Sequence, residues 1–367
     1  MPDEKAKNSS SVTRVSTLEL FFDLVFVFAI TQVSHLFGEA HGALDFGRAF
    51  LVLAVVWWMY GGYAWLTSNV GTDRFQTRIL LLAAMVGFLI IALRIPTVAT
   101  RHGSALGLAY LLVVLIHSAL FTHAPNSSAR AILGVLPFNV FLAVAVIVSG
   151  LVPAEWNWIP WSVGAAAIVA TTTLRRERDF QLSPAHFVER HGLVILIALG
   201  ESVVATGTSA ESIPIGVRLV AWVTIGLALA AALWWTYFDG DDERAERAIH
   251  EATGDARTRL ALHAYYYAHL AMIAGIVMTA AGVHDAVRHL DDPGAANAWL
   301  ISCGVATYLA GAAWFRALLH IGPSRARMIA AGVTLGMVPV GERWGSLLQL
   351  VAVVVVLVGM LGAERRL

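Results

Sequence analysis

The chain has 367 residues, 58% of them hydrophobic and only 14% charged, with a mean hydropathy of +0.70. Soluble domains carry roughly 25% charged residues, so a chain this apolar needs lipid as the solvent for much of its surface. A formal net charge of zero excludes the basic excess of a nucleic-acid binder, and a lone cysteine, Cys303, excludes an internal disulfide and a zinc cluster.

Taken in chain order, residues 1–17 form a polar tail. The apolar run from Leu18 is too long for a signal peptide and has no small-residue cleavage site after it, so the first helix is expected to stay as an anchor. A bilayer core of about 30 Å needs about 20 apolar residues per helix. Such runs fall near 18–37, 49–68, 78–98, 104–122, 131–150 and 157–174. A second set falls near 184–207, 215–238, 260–283, 297–319, 326–341 and 346–362, the sixth and eleventh runs being short. The polar connection 239–259 reads as a short surface helix, and 363–367 as a tail. The expected fold is therefore all-α: a polytopic transmembrane bundle of about twelve helices.

Placing every Lys and Arg on alternating sides leaves nineteen on the side of the N-terminus and six on the other. Positive charge stays in the cytoplasm, so both termini and the loop 239–259 are expected there, in a plasma membrane. The two halves also echo one another in order. Leu24-Val25 matches Leu193-Val194, Trp57-Trp58 with Tyr60 matches Trp234-Trp235 with Tyr237, Tyr110-Leu111 matches Tyr308-Leu309, and Ala129-Arg130 matches Ala326-Arg327. This divides the chain into a first six-helix repeat, 18–174, and a second, 175–362. Six is even, so the repeats are expected to run parallel.

Ionisable groups inside spans are costly, which makes each a functional candidate. The first helix offers Glu19, Asp23, Thr31 and Ser34 on or beside one face. Glu19 has a second reading, because Ser16-Thr17-Leu18-Glu19 is a capping box; Asp23, a turn deeper, has no capping role. The seventh helix starts at Ser183-Pro184 and carries Glu189, Arg190, His191 and the deep carboxylate Glu201. Glu201 must be protonated, paired or facing an aqueous path. Weaker candidates are His117, His263 and His269, which could relay protons but more often bond across helices, and the aromatic pairs Trp58 with Tyr60 and Trp235 with Tyr237. No nucleotide, hydrolase, dinucleotide or metalloprotease motif is present, and no cofactor or metal is implied.

The string from Glu19-Leu20-Phe21-Phe22-Asp23 through Thr31-Gln32, and the segment Glu189-Arg190-His191-Gly192 through Gly200-Glu201-Ser202, resemble the two signatures of the bacterial low temperature requirement A family. That resemblance implies a multi-pass bacterial inner-membrane protein linked to growth in the cold, without an agreed biochemical activity. The pattern of Glu19, Phe21, Asp23, Phe26 and Thr31 is also similar, more faintly, to the opening of two-repeat, twelve-helix potassium channels. Thr17 and Phe22 depart from it, as does Gly192-Leu193, where the second half would carry another Asp.

Three functions fit the residues. The first is passage of a small cation, proton or small solute between the repeats, with Asp23 and Glu201 as the sensitive groups. The second is a membrane-embedded enzyme acting on a lipid or isoprenoid, using Glu201 with His191 or His117. The third is a non-catalytic regulator or scaffold, and an enzyme is the less favoured class. Expected partners are the bilayer, the transported species and a second copy in a homodimer.

Overall fold

The computed structural model describes residues 15–72, 74–98, 103–122, 126–174, 182–211, 213–289 and 297–366. These residues form helices α1 (Thr17–Gly38), α2 (Ala43–Thr67), α3 (Phe75–Arg94), α4 (Gly103–Phe121), α5 (Asn126–Ser149) and α6 (Trp158–Leu174). There follow α7 (Pro184–Ala210), α8 (Val217–Phe238), α9 (Asp241–Glu251), α10 (Gly254–Ala261) and α11 (His269–Arg288). The chain ends with α12 (Ala298–Leu319), α13 (Arg325–Leu335), α14 (Val338–Trp344) and α15 (Ser346–Glu364). The described residues contain no strand.

Among the described residues, ten helical stretches are long and apolar enough to cross a bilayer, and Trp158–Thr172 is a shorter apolar helix. The bundle is thus all-α and polytopic, as the sequence implies. The eleventh run, expected over 326–341, is not one continuous helix. It breaks into α13 and α14 around Gly336 and Met337, with Pro339 in the first turn of α14. Proline lacks the N–H needed to continue a helix, and glycine is a poor helix former. Residues 1–14 and the connection 175–181, which hold six of the nineteen counted positive charges, lie outside the described residues.

Neighbour relations recur between the halves. As α1 packs on α2 and α3, so α7 packs on α8 and α11. As α3 packs on α4, and α4 on α5, so α11 packs on α12, and α12 on α13. The contact of α2 with α6 has its counterpart in α8 with α15. A buried tyrosine does equivalent work in each half. Tyr110 Oη donates to the Val55 carbonyl at 3.3 Å, and Tyr308 Oη donates to the Leu233 carbonyl at 2.7 Å. The tightest pair, α11 and α12, depends on glycine: a Cβ at Gly275 would meet the Tyr308 backbone N at 2.4 Å. Without a hydrophobic drive between helices in lipid, such close backbone approach is a main source of packing energy.

Between α10 and α11 the chain makes a π turn over Leu262–Ala268. His269 Nδ1 lies 2.9 Å from the Ala264 carbonyl, and Trp57 Nε1 donates to the Tyr266 carbonyl at 2.8 Å, tying α2 to the second half.

A buried ion cluster closes the second half. Asp241 at the start of α9 meets Arg316 at 2.7 Å and Arg327 at 2.8 Å. The same two arginines meet Glu364 at 2.9 and 3.0 Å, and Arg327 also donates to the Thr236 carbonyl. Five helices, α8, α9, α12, α13 and α15, are pinned by these contacts.

Candidate functional site

Helices α1 and α7 run side by side in the same direction, Glu19 meeting His186 near their starts and Thr31 meeting Glu201 farther along. The capping box is present: Glu19 N–H donates to Ser16 Oγ, and Ser16 N–H donates to Glu19 Oε2 at 2.8 Å. Both readings of Glu19 therefore hold, because its other oxygen accepts from Arg190 Nη1 at 3.0 Å.

Arg190 is the centre of this first ion cluster. Its Nη2 donates to Asp23 Oδ1 at 3.0 Å, and its Nη1 also donates to Thr67 Oγ1 at the end of α2. Tyr60 Oη donates to the same Asp23 oxygen at 2.8 Å. The guanidinium carbon lies 5.7 Å from the Phe22 ring centre and 5.8 Å from that of Tyr60, within cation–π reach. His186 Nε2 stands 3.2 Å from Glu19, and its Nδ1 is 3.1 Å from Ser68 Oγ. Glu19, Asp23, His186 and Arg190 are all buried. Two carboxylates thus share one guanidinium. Among the described residues, Asp23 Oδ2 and Arg190 Nε have no hydrogen-bond partner.

Farther along the same helices lies a cavity of about 370 Å³, lined by Thr31, Ser34, Glu201, Thr208, His284 and Asp285 among others. Glu201 is buried, and Thr31 Oγ1 donates to its Oε2 at 2.7 Å. Ser34 Oγ reaches the Val277 carbonyl at 3.4 Å, and Ser209 Oγ lies 2.7 Å from His284 Nδ1. His35, Gly38, Glu39 and Arg288 line the same cavity and are exposed.

Asp23 and Thr31 are eight residues apart, about 12 Å along α1, and Arg190 and Glu201 about 16 Å along α7. The layer between is apolar and buried: Phe26 and Ile30 on α1, Val194 and Ala198 on α7, Ile273 and Val277 on α11. Glu201 therefore faces a cavity, whereas Asp23 sits behind a dry layer in an ion cluster.

The remaining candidates scatter. Glu189, one residue before Arg190, is exposed and lines a separate groove of about 400 Å³ with Asp242, Glu243 and Glu246. His191 is buried among Phe187, Tyr265 and His269. Tyr237 Oη lies 3.1 Å from His269 Nε2, so it does not do for a carboxylate what Tyr60 does for Asp23. Trp58 Nε1 donates to Asn139 Oδ1 at 2.9 Å. Trp235 is partly exposed under Arg365, and His263 packs on Tyr267. His117 is buried beside Tyr63 and Phe121. Among the described residues no group of His, Cys, Asp and Glu is arranged to hold a metal.

Thr67, His284 and Asp285 join these sites without having been singled out by sequence, whereas His35 and His186 belong to the polar sets that the sequence places on the first and seventh helices. One signal was available: His186 and Arg190 repeat the i, i+4 spacing of Glu19 and Asp23, so two polar pairs can face each other across two parallel helices.

An uncharacterized protein of Rhizobium meliloti is 26% identical over 326 residues, covering 84% of this chain and 79% of that protein. No solved structure matches the chain. The family described as bacterial low temperature requirement A protein matches residues 14–362, which include α1, α7 and the whole of both sites. The chain belongs to the bacterial low temperature requirement A family.

Proposed function

We propose that this membrane protein passes a small cation, proton or small solute along the seam where α1, α7 and α11 meet, at the interface of two parallel six-helix repeats. One observation carries the reading: Glu201, a buried carboxylate deep in a span, lines a cavity of about 370 Å³ and is held there by Thr31. An intramembrane carboxylate is expensive and is retained where it meets a permeating species or proton. The apolar layer and the Arg190 cluster would then form the closed side of the path, with both termini in the cytoplasm of a bacterial inner membrane. Passage requires the α1–α7 contact to loosen, and the partners lost in that step are Glu19 and Asp23.

Acid–base chemistry on a lipid draws less support. His191 is ten residues from Glu201, about 15 Å along α7, and His117 is buried beside Tyr63 and Phe121. The similarity to potassium channels supports no more than the architecture, since the second half has Gly192 where Asp would be expected.

Purified protein in liposomes, loaded with a pH dye or a potassium dye, tests the proposal. Wild type should dissipate an imposed gradient of one species. Glu201→Gln and Thr31→Val should each slow it at least about tenfold, the effect of some 1.4 kcal/mol on a barrier. Equal flux in wild type and Glu201→Gln, or no flux of any tested species, would reject it.

A further inference from the structure

His117 presents a problem that the ion path does not solve. It is 1% exposed, and among the described residues its ring nitrogens meet only the Gly62 backbone, outside good hydrogen-bond geometry. A neutral imidazole carries one donor and one acceptor, and leaving both unmade in a membrane interior is costly. The ring is not isolated in close packing. It lines a hollow of about 50 Å³ with Trp58, Trp65, Phe121, Asn139 and Tyr266. Gly62 makes room for it, since a Cβ there would stand 3.1 Å from His117 Nε2.

A second hollow of about 70 Å³ adjoins the first, with Trp58 and Tyr266 common to both walls. Its lining includes Val55, Leu142, Ala165 and Leu270. The two follow α2 from Trp65 back to Ala54, eleven residues, or about 16 Å. They lie where α4, α5 and α6 of the first half approach the π turn of the second. This is a narrow, mostly apolar track at the depth of the lipid tails, with Asn139 held by Trp58 in its wall and the poorly matched His117 at its end nearer the start of α1. Among the described residues its lining carries no charge. A phosphate or carboxylate head would enter it without a counter-ion, whereas a hydroxyl offers the donor and acceptor that an imidazole can use.

We propose that this track binds a single long-chain lipid alcohol, its hydroxyl on His117 and its chain along α2 beneath Trp58 and Tyr266. Because Trp57 bonds the Tyr266 carbonyl, a chain lodged here would brace the joint between the two halves.

The test is native mass spectrometry of the full chain in mild detergent, with hexadecanol as the probe and palmitate as the charged comparison. Wild type should hold one hexadecanol per chain and bind palmitate at least about tenfold more weakly. Ala165→Phe, which fills the second hollow, and His117→Phe, which removes the polar end, should each weaken hexadecanol at least about tenfold. Because either variant could fold poorly, hexadecanol bearing a diazirine should also be photolysed on wild type. Adducts within 54–65 or 262–270 support the track. No bound alcohol, palmitate binding as tightly, unchanged binding in both variants, or adducts only elsewhere would each overturn it, the last leaving water as the occupant. None of these readouts depends on ion flux.

Discussion

The two buried ion clusters are built from the same residue types and differ in what they join. Glu19, Asp23 and Arg190 tie the first half to the second, two carboxylates leaning on one guanidinium. Asp241, Arg316, Arg327 and Glu364 lie within the second half, each carboxylate held by both arginines. In the first, a carboxylate oxygen and a guanidinium N–H are left over. In the second, every described polar atom of the four side chains has a partner or water access. Redundant, satisfied ion pairs make a fixed clamp; a singly held, under-satisfied set is the arrangement expected where a contact must open.

That contrast can be broken by removing cations. Arg190→Met strands two buried carboxylates and should cost about 3–5 kcal/mol, read as a large fall in thermal unfolding temperature in detergent. Adding Glu19→Gln and Asp23→Asn to it should recover most of the loss, and failure to recover would show that the cost was packing. Arg327→Met should cost less, about 2–3 kcal/mol, because Arg316 still holds both Asp241 and Glu364. Its flux in liposomes should match wild type. If Arg327→Met proved the more damaging, the clamp would not be redundant. Tyr60→Phe removes one hydrogen bond from Asp23 and should cost about 1.5–3 kcal/mol. The smallest effect is expected for Ser16→Ala, about 1 kcal/mol for a lost cap. A fall in flux in that variant beyond its loss of folded protein would show that the cap also positions Glu19 against Arg190.

Much of this was legible in the residues. Run lengths place nearly all the helices, and the repeat echoes anticipate that α1 and α7 are corresponding, neighbouring elements. The polar stripe of α1 and the deep Glu201 identify the seam. What the sequence could not supply was azimuth. Glu189 and Arg190 differ by about 100° around α7, so one faces an acidic groove and the other the core, and only the neighbouring helices decide which. The second cluster was hidden for another reason. Arg316 and Arg327 sit at span ends, where basic residues are ordinary topology markers, and nothing local shows that they turn inward. His284 and Asp285 were hidden in the same way. The eleventh run was misread because its hydropathy continues across a backbone break.

The π turn at Leu262–Ala268 has a consequence for how the two halves stay in phase. An extra residue in one turn rotates everything after it by about a further 100° relative to everything before. Tyr265 and His269 consequently stay with the second half, packed on His191, while Tyr266 turns its ring toward Trp58 and its carbonyl toward Trp57. Deleting a single residue between 262 and 268 would restore the ordinary helical period without touching either ion cluster. It would also swing the aromatic bridge off the first half, so the length of one turn sets whether the two halves of the chain are coupled on that side.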